Sequence, residues 1–496
     1  MEKDPASSPR TPARGRHDRE ILALAVPAFG ALVAEPLFVM ADSAVVGHLG
    51  TAQLAGLGVA AALLTTAVNI FVFLAYATTA AVARRVGAGD LPAAIRQGVD
   101  GIWLALLLGA LVIAVVLPSA PAVVDLFGAS PTAAPYATTY LRISSLGIPA
   151  MLMGLAATGV LRGLQDTRTP LYVAVGGFAA NAGLNAGLVY GAGLGIAGSA
   201  WGTVIAQNGM AAVYVWVVIR GAKRHLAKRH LAKPHLPTRD DTTPHLAPRH
   251  DTAPHDPAPH DPATDARTGA RSALWTLLRP DPAGIRACAR AGVPLLVRTL
   301  SLRAVLLIAT AVAAGLGDAE IAAHQITLTV WSLLAFALDA IAIAGQAIIG
   351  RYLGADDPEG ARAACRRMIE WGVACGVVLG LLVTLARPLI GPMFTSDPAV
   401  RDALASALLV VAVAQPVCGI VFVLDGVLMG AGDGPYLAWS MLGTLAVFAP
   451  AALAVPALGW GLTALWWAMT LMMLTRLAAL WLRARSGRWI VTGAAR

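Results

Sequence analysis

The chain has 496 residues, 57% of them hydrophobic and only 13% charged, with a mean hydropathy of +0.68; soluble globular chains carry about 25% charge. That composition excludes a cytosolic enzyme, and at roughly 20 residues per bilayer crossing it leaves room for about a dozen helices and little else. A net charge of +9 would suggest nucleic acid to a soluble protein, but here it is expected to set membrane orientation, with no nucleic-acid partner.

Residues 1–20 are polar and basic, and the apolar run behind them outlasts a signal-peptide core without a small-residue cleavage site, so the first helix should remain as an anchor. Apolar runs bounded by Gly, Pro or charge fall near 21–46, 54–82, 98–117, 139–160, 170–190, 196–219, 287–313, 321–347, 369–386, 403–428, 436–457 and 461–482. They predict an all-α integral membrane protein with twelve transmembrane helices. With the N-terminus inside, 30 of the 37 Lys and Arg residues lie in cytoplasmic segments, Arg387 and Arg401 lie outside, and the rest are within helices. This bias places both termini in the cytoplasm of a cell with the chain in its inner or plasma membrane.

The stretch from about 222 to 272 differs in kind: a loose five-residue repeat of His, Pro, Asp and Arg carries seven of the ten histidines, at 225, 230, 235, 245, 250, 255 and 260. Such a composition cannot bury a core. A spacing of five gives no common helical face and proline interrupts any helix, so a solvated, disordered linker is expected rather than a metal site. Cys288, Cys365, Cys375 and Cys418 have neither metal-ligand nor disulfide spacing and are expected to be reduced packing thiols. No cofactor is implied.

Adding 267 to positions in the first half lands repeatedly on a matching residue: Val26-Pro27 on Val293-Pro294, Leu49-Gly50 on Leu316-Gly317, Arg84 on Arg351, Gly87 on Gly354, Pro149 on Pro416, Gly159 to Leu161 on Gly426 to Leu428, and Asp166 on Asp433. Such an offset is the mark of an internal duplication, and six helices per repeat bring both halves in from the same side. The expected division is a tail (1–20), a first lobe (21–220), the linker (221–285), a second lobe (286–482) and a tail (483–496). Two similar lobes can enclose a cavity and rock to open it to either side.

Polar residues without a mate in the other lobe are the candidates for specific chemistry, because ionisable groups are costly inside a membrane. Asp42 maps to Ala309 and Glu35 to Leu302; the two acids sit seven apart on one helical face, about 10 Å along the axis. Desolvation favours the uncharged form of a carboxylic acid, so either could carry a proton; Asp42 as a helix-end cap, and Glu35 as a local structural partner of Pro36, are the competing readings. Asn181 and Asn185 share a face of helix 5, and Thr203 lies on helix 6; they could serve substrate or protonated acid, or bond helix to helix. Pro27 removes a backbone donor and permits a bend. Arg298, Arg303, Asp339 and Asp425 are also within helices, where an Arg–Asp pairing across helices 7 and 8 would neutralise two of them. No GxxxxGK[ST], HExxH or GxSxG motif occurs, which leaves no ATPase and no enzyme, and an ion gradient as the energy source.

The segments PLFVMADSAVVGHLGTAQLAGLGVA (36–60), AGLGDAEIAAHQ (314–325), LDAIAIAGQAIIGRYLGADD (338–357) and VLDGVLMGAGD (423–433) resemble the multidrug and toxic compound extrusion (MATE) family, in particular its DinF-like branch. The resemblance implies two six-helix lobes in a V, acting as a monomer in lipid and exporting cationic or amphipathic small molecules in exchange for protons or sodium ions. It places the family's helix 1 aspartate at Asp42, the bending proline at Pro27, and first-lobe polar partners at Asn181 and Thr203. Where related members have a second acid on helix 5 this chain has Asn185, which favours a proton at Asp42 over sodium. Helix 7 offers arginines where some members have acids, so no second-lobe cation site is implied. A flippase for lipid-linked or anionic substrates is the rival.

Overall fold

The computed structural model describes residues 13–231 and 277–494, and every regular element among them is helical. The first repeat comprises α1 (Ala13–Gly47), α2 (Thr51–Ile70), α3 (Phe73–Gly87), α4 (Leu91–Leu126), α5 (Ala134–Ser145), α6 (Ile148–Gly163), α7 (Arg168–Ala186), which runs into a π-turn at Gly187–Gly191, and α8 (Gly195–Leu231). The second comprises α9 (Pro282–Leu316), α10 (Asp318–Gly354), α11 (Pro358–Phe394), α12 (Pro398–Gly430), α13 (Gly434–Ala457) and α14 (Leu462–Ser486). Ten helical stretches, α2–α3 counted as one, are long and apolar enough to cross a membrane, and α5–α6, bent by 50°, make an eleventh. At 35 residues, α1 completes twelve spans in two lobes, a multi-pass membrane protein.

Observed helices outrun the expected ones because they continue past the bilayer-length apolar runs into capped ends. Asp90 accepts from the Ala93 amide at 3.1 Å and its mate Asp357 from the Gly360 amide at 2.7 Å, each satisfying an orphan donor next to a proline in the first turn. Toward the linker, α8 continues to Leu231 because no proline intervenes before Pro234; residues 221–231, expected in the linker, are therefore helical. The rest of the His-rich stretch, 232–276, lies outside the described residues.

The duplication is written in the helix boundaries. Thr51–Gly87 and Asp318–Gly354 begin and end 267 positions apart. The turns before them use Gly50 at φ 139° and Gly317 at φ 142°, a conformation that a Cβ would strain. The copies differ in continuity. The first lobe is interrupted between α2 and α3, between α5 and α6 and at the π-turn, whereas α10 and α12 run unbroken.

Apolar packing joins the lobes in one half of the bundle only. One large buried cluster combines Ile21, Leu24, Phe73, Leu74 and Leu152 of the first lobe with most of the second-lobe core, while Val46, Leu57, Val124, Tyr140 and Ile196 form a separate cluster confined to the first lobe. The lobes meet most closely where the repeats cross. A methyl group on Gly87 would fall 2.0 Å from the Arg351 carbonyl oxygen, and one on Gly354 would fall 1.9 Å from that of Arg84. Because Gly87 mates with Gly354 and Arg84 with Arg351, the pseudo-twofold axis passes through this contact. Arg84 donates to the carbonyls of Ala431 (2.7 Å), Val491 (2.8 Å) and Gly493 (3.2 Å), so the C-terminal segment stitches the same end. There too the start of α1 is tied to the second lobe: Glu20 pairs with Arg351, and Asp18 accepts from Arg367 at 2.6 Å and from the Trp371 indole at 2.8 Å. The Asp18 carboxyl is held below its ordinary range, first by the Arg367 hydrogen bond and then by that of Trp371.

Candidate proton-coupling site and interlobe charge cluster

Near the far end of α1, Asp42 is buried, 7% exposed. One carboxylate oxygen, Oδ1, accepts from Asn185 Nδ2 at 2.7 Å and Ser199 Oγ at 2.6 Å; the other, Oδ2, accepts from the Tyr140 hydroxyl at 3.0 Å. All three donors are uncharged, and among the described residues Asp42 makes no ion pair. Asn185 Nδ2 also donates to Asn181 Oδ1 at 2.9 Å, and Asn181 Nδ2 to Thr203 Oγ1 at 3.1 Å. Asp42, Asn185, Asn181 and Thr203 thus form a continuous hydrogen-bonded chain across α1, α7 and α8. One acceptor within it is unused, since Asn185 Oδ1 is buried without a partner among the described residues.

The backbone explains how this chain closes. The i,i+4 spacing puts both asparagines on one face of α7. Gly202 lets α8 approach, for a methyl group there would fall 2.0 Å from Asn185 Oδ1. The π-turn after Ala186 swings Tyr190 so that its hydroxyl donates to the Val45 carbonyl at 2.6 Å, pinning α7 to α1; such bulges recur at functional sites.

Asn181, Asn185, Thr203 and Asp42 are therefore gathered as the sequence suggested. Pro27 lies inside α1 together with Pro36, far along the helix from Asp42. Glu35 is on α1, but its side chain is outside the described residues. Sequence reasoning missed Tyr140 and Ser199. Ser199 sits four residues before Thr203 and so shares its face of α8; Tyr140 comes from α5, the first arm of the bent α5–α6 span.

In the second lobe the expected pairing is corrected. The partner of Arg298 is Asp425 on α12, bound through both Nε (3.2 Å) and Nη2, not Asp339 on α10. Arg476 on α14 reaches the same carboxylate at 3.3 Å. Asp425 is four residues after Val421 on a helix buried on nearly all sides, where a planar fork and a second cation satisfy both of its oxygens. Asp339, half-buried, makes no ion pair among the described residues.

The repeats have a common ancestor in sequence space as well: the MatE family pattern matches residues 27–186 and again 294–453, two matches offset by the same 267 positions. The chain belongs to the MATE family. It is 29% identical to Protein DETOXIFICATION 44, chloroplastic, of Arabidopsis thaliana, covering 96% of this chain and 84% of that one. It is also 29% identical to the DNA damage-inducible protein F of Escherichia coli, covering 95% and 94%. Among solved structures, the MATE transporter VcmN of Vibrio cholerae in its bent form superposes with a TM-score of 0.76 at 20% identity, covering 96% of this chain and 98% of that one. A MOP superfamily transporter from Pyrococcus furiosus gives 0.75 at 20% identity over 96% of each chain. MATE proteins are efflux transporters of small molecules, not enzymes.

Proposed function

We propose that this MATE protein exports cationic or amphipathic small molecules in exchange for protons by alternating access, in a cell membrane with both termini in the cytoplasm. The observation that carries the reading is Asp42: a buried carboxylate held by Tyr140, Asn185 and Ser199, with no ion pair among the described residues. Neutral donors stabilise the ionised acid, yet leave room for a proton to neutralise it, which a guanidinium would oppose. With the positive-inside bias, the end joined by Gly87 and Gly354 would face the cytoplasm and Asp42, near the opposite end of α1, the outside, where external protons reach it first.

A proton on Asp42 adds a donor where three donors already converge. The chain resolves this by turning over: Asn185 presents its free Oδ1 to the new O–H, Asn181 reverses in turn, and Thr203 becomes the donor at the far end. One charge disappears and the polarity of a whole chain inverts, loosening any cation held by Asp42 and the packing of α1 against α7 and α8. Because α1 is tied to the second lobe through Glu20 and Asp18, and Pro27 lies between, a change at Asp42 can be passed on as a bend. With one carboxylate and Asn185 in place of a second acid, the site suits a proton better than a sodium ion. Efflux of a cationic dye from proteoliposomes should follow an imposed proton gradient and ignore a sodium gradient; drive by sodium alone would refute the coupling.

A further inference from the structure

The two repeats finish differently beside the seam where the lobes cross. At an offset of 266 positions, which also pairs Gly193 with Gly459 and Trp201 with Trp467, Gly221 is the mate of Gly487. Helix α8 runs through Gly221 to Leu231, whereas α14 stops at Ser486 and Gly487 takes the left-handed conformation, φ 66°, which glycine adopts without strain. The chain then turns off the helix axis, and the Ile490 amide donates back to the Gly487 carbonyl at 3.0 Å.

This segment is anchored on the second lobe at both of its ends. Trp489, 2% exposed, is buried in the apolar cluster shared by the lobes and donates its indole N–H to the Ala484 carbonyl at 3.0 Å. The Gly493 amide donates to the Leu353 carbonyl of α10, also at 3.0 Å. Between these anchors it reaches the first lobe through Arg84 of α3, whose guanidinium donates to the Val491 and Gly493 carbonyls as well as to Ala431 in the turn after α12. Arg84 is buried, and a buried guanidinium must keep its donors satisfied; here backbone carbonyls stand where water would.

The symmetry mate is held by other means, since Arg351 pairs with the Glu20 carboxylate. One side of the crossing is closed by an ion pair and the other by carbonyls that a non-helical segment delivers. When lobes part, water can replace those carbonyls, so the exchange costs little net free energy per bond. That is the behaviour of a fastening that opens and closes.

We propose that residues 487–493 are a releasable strap: fixed to the second lobe by Trp489 and by the Gly493–Leu353 bond, and clasped to the first by Arg84, they hold the lobes together at this end, and release of Arg84 is a required step in opening it. This rests on the alternating-access reading and adds the element that sets the balance between its two openings. Asp42 lies near the opposite end of α1, so the strap acts apart from the proton site.

The test is the distance distribution between spin labels at positions 88 and 355 of the purified full chain, recorded without substrate or gradient. Arg84→Gln should raise the fraction of molecules with a second, longer distance about tenfold, changing the populations and not the two distances, with Arg84→Lys in between. Gly493→Pro leaves Arg84 in place but can neither donate to Leu353 nor adopt the φ of 107° found there. It should raise the same fraction about threefold, and add nothing once Arg84→Gln is present, because both undo one clasp. An unchanged distribution in Gly493→Pro, or effects that multiply in the double variant, would overturn the strap. So would a lower thermal midpoint with a broadened single distance, which would make the segment plain packing. Wild-type labels that keep one distance under every imposed gradient would refute alternating access itself, whereas two distances whose ratio ignores both variants would refute only the strap.

Discussion

Asp42 in the first lobe and Asp425 in the second are both buried carboxylates on helices of one duplicated plan, yet among the described residues one accepts hydrogen bonds only from neutral groups while the other lies between two guanidiniums. The backbones differ in the same sense. The first lobe bends between α5 and α6, breaks between α2 and α3 and ends α7 in a π-turn, where the matching α10, α12 and α13 of the second lobe run unbroken. Duplication supplied equal scaffolds, and the membrane supplied equal costs for charge; what separates the copies is whether a buried acid is held by neutral donors or is already neutralised by protein cations. The lobe whose buried acid is held by neutral donors is also the one with jointed helices.

The sharpest way to break this contrast is to remove each charge in turn. Asp425→Asn leaves Arg298 and Arg476 without a counter-charge and should cost about 3–5 kcal/mol, read as a large drop in the thermal midpoint of the detergent-solubilised protein. Asp42→Asn leaves only neutral donors behind and should cost less than about 1 kcal/mol. Equal costs would erase the distinction.

Next in size is the crossing point. Gly354→Val drives a side chain into the Arg84 carbonyl and should part the lobe ends, lengthening a spin-label distance measured between positions 88 and 355; Gly87→Val should do the same. A response from only one of the pair would mean that the twofold contact is not shared equally. Smaller again, Ser199→Ala and Tyr140→Phe each remove one of three donors to Asp42, and roughly fivefold slower exchange is expected from each loss of about 1 kcal/mol. Initial rates of dye efflux check this.

The smallest effect expected is at Asp18. Its depressed carboxyl contributes above its ordinary value near 3.9 and is lost only as pH falls through the lower folded value. Between pH 5 and 8 the Asp18–Arg367 contact therefore stays intact, and Asp18→Asn should leave the pH dependence of lobe movement unaltered when followed by the same spin labels.

Much of this was legible beforehand. Each expected apolar run falls within one residue of lying inside an observed helix or pair of helices, and the 267-position offset announced the lobes because Gly50 and Gly317, or Gly87 and Gly354, answer backbone demands that no other residue meets. Asn181 and Asn185 could be read together because four residues make one helical face. Tyr140 and Ser199 could not, since their approach to Asp42 depends on how α5 and α8 sit around α1. The Arg–Asp pairing expected across helices 7 and 8 failed for a related reason: α10 is the chain neighbour of α9, but the acid that Arg298 meets is Asp425 on α12, and sequence carries no record of which helices face each other. Helices overran their predicted ends because caps and interlobe ties, not apolarity, decide where they stop.

The most direct test of the central claim is efflux of a cationic dye from proteoliposomes holding either the wild-type chain or Asp42→Asn, under one imposed proton gradient, with thermal midpoints matched. Wild-type protein should extrude the dye in proportion to the gradient, and the variant should fold normally and respond to it not at all. Gradient-driven extrusion by Asp42→Asn at the wild-type rate would contradict the account.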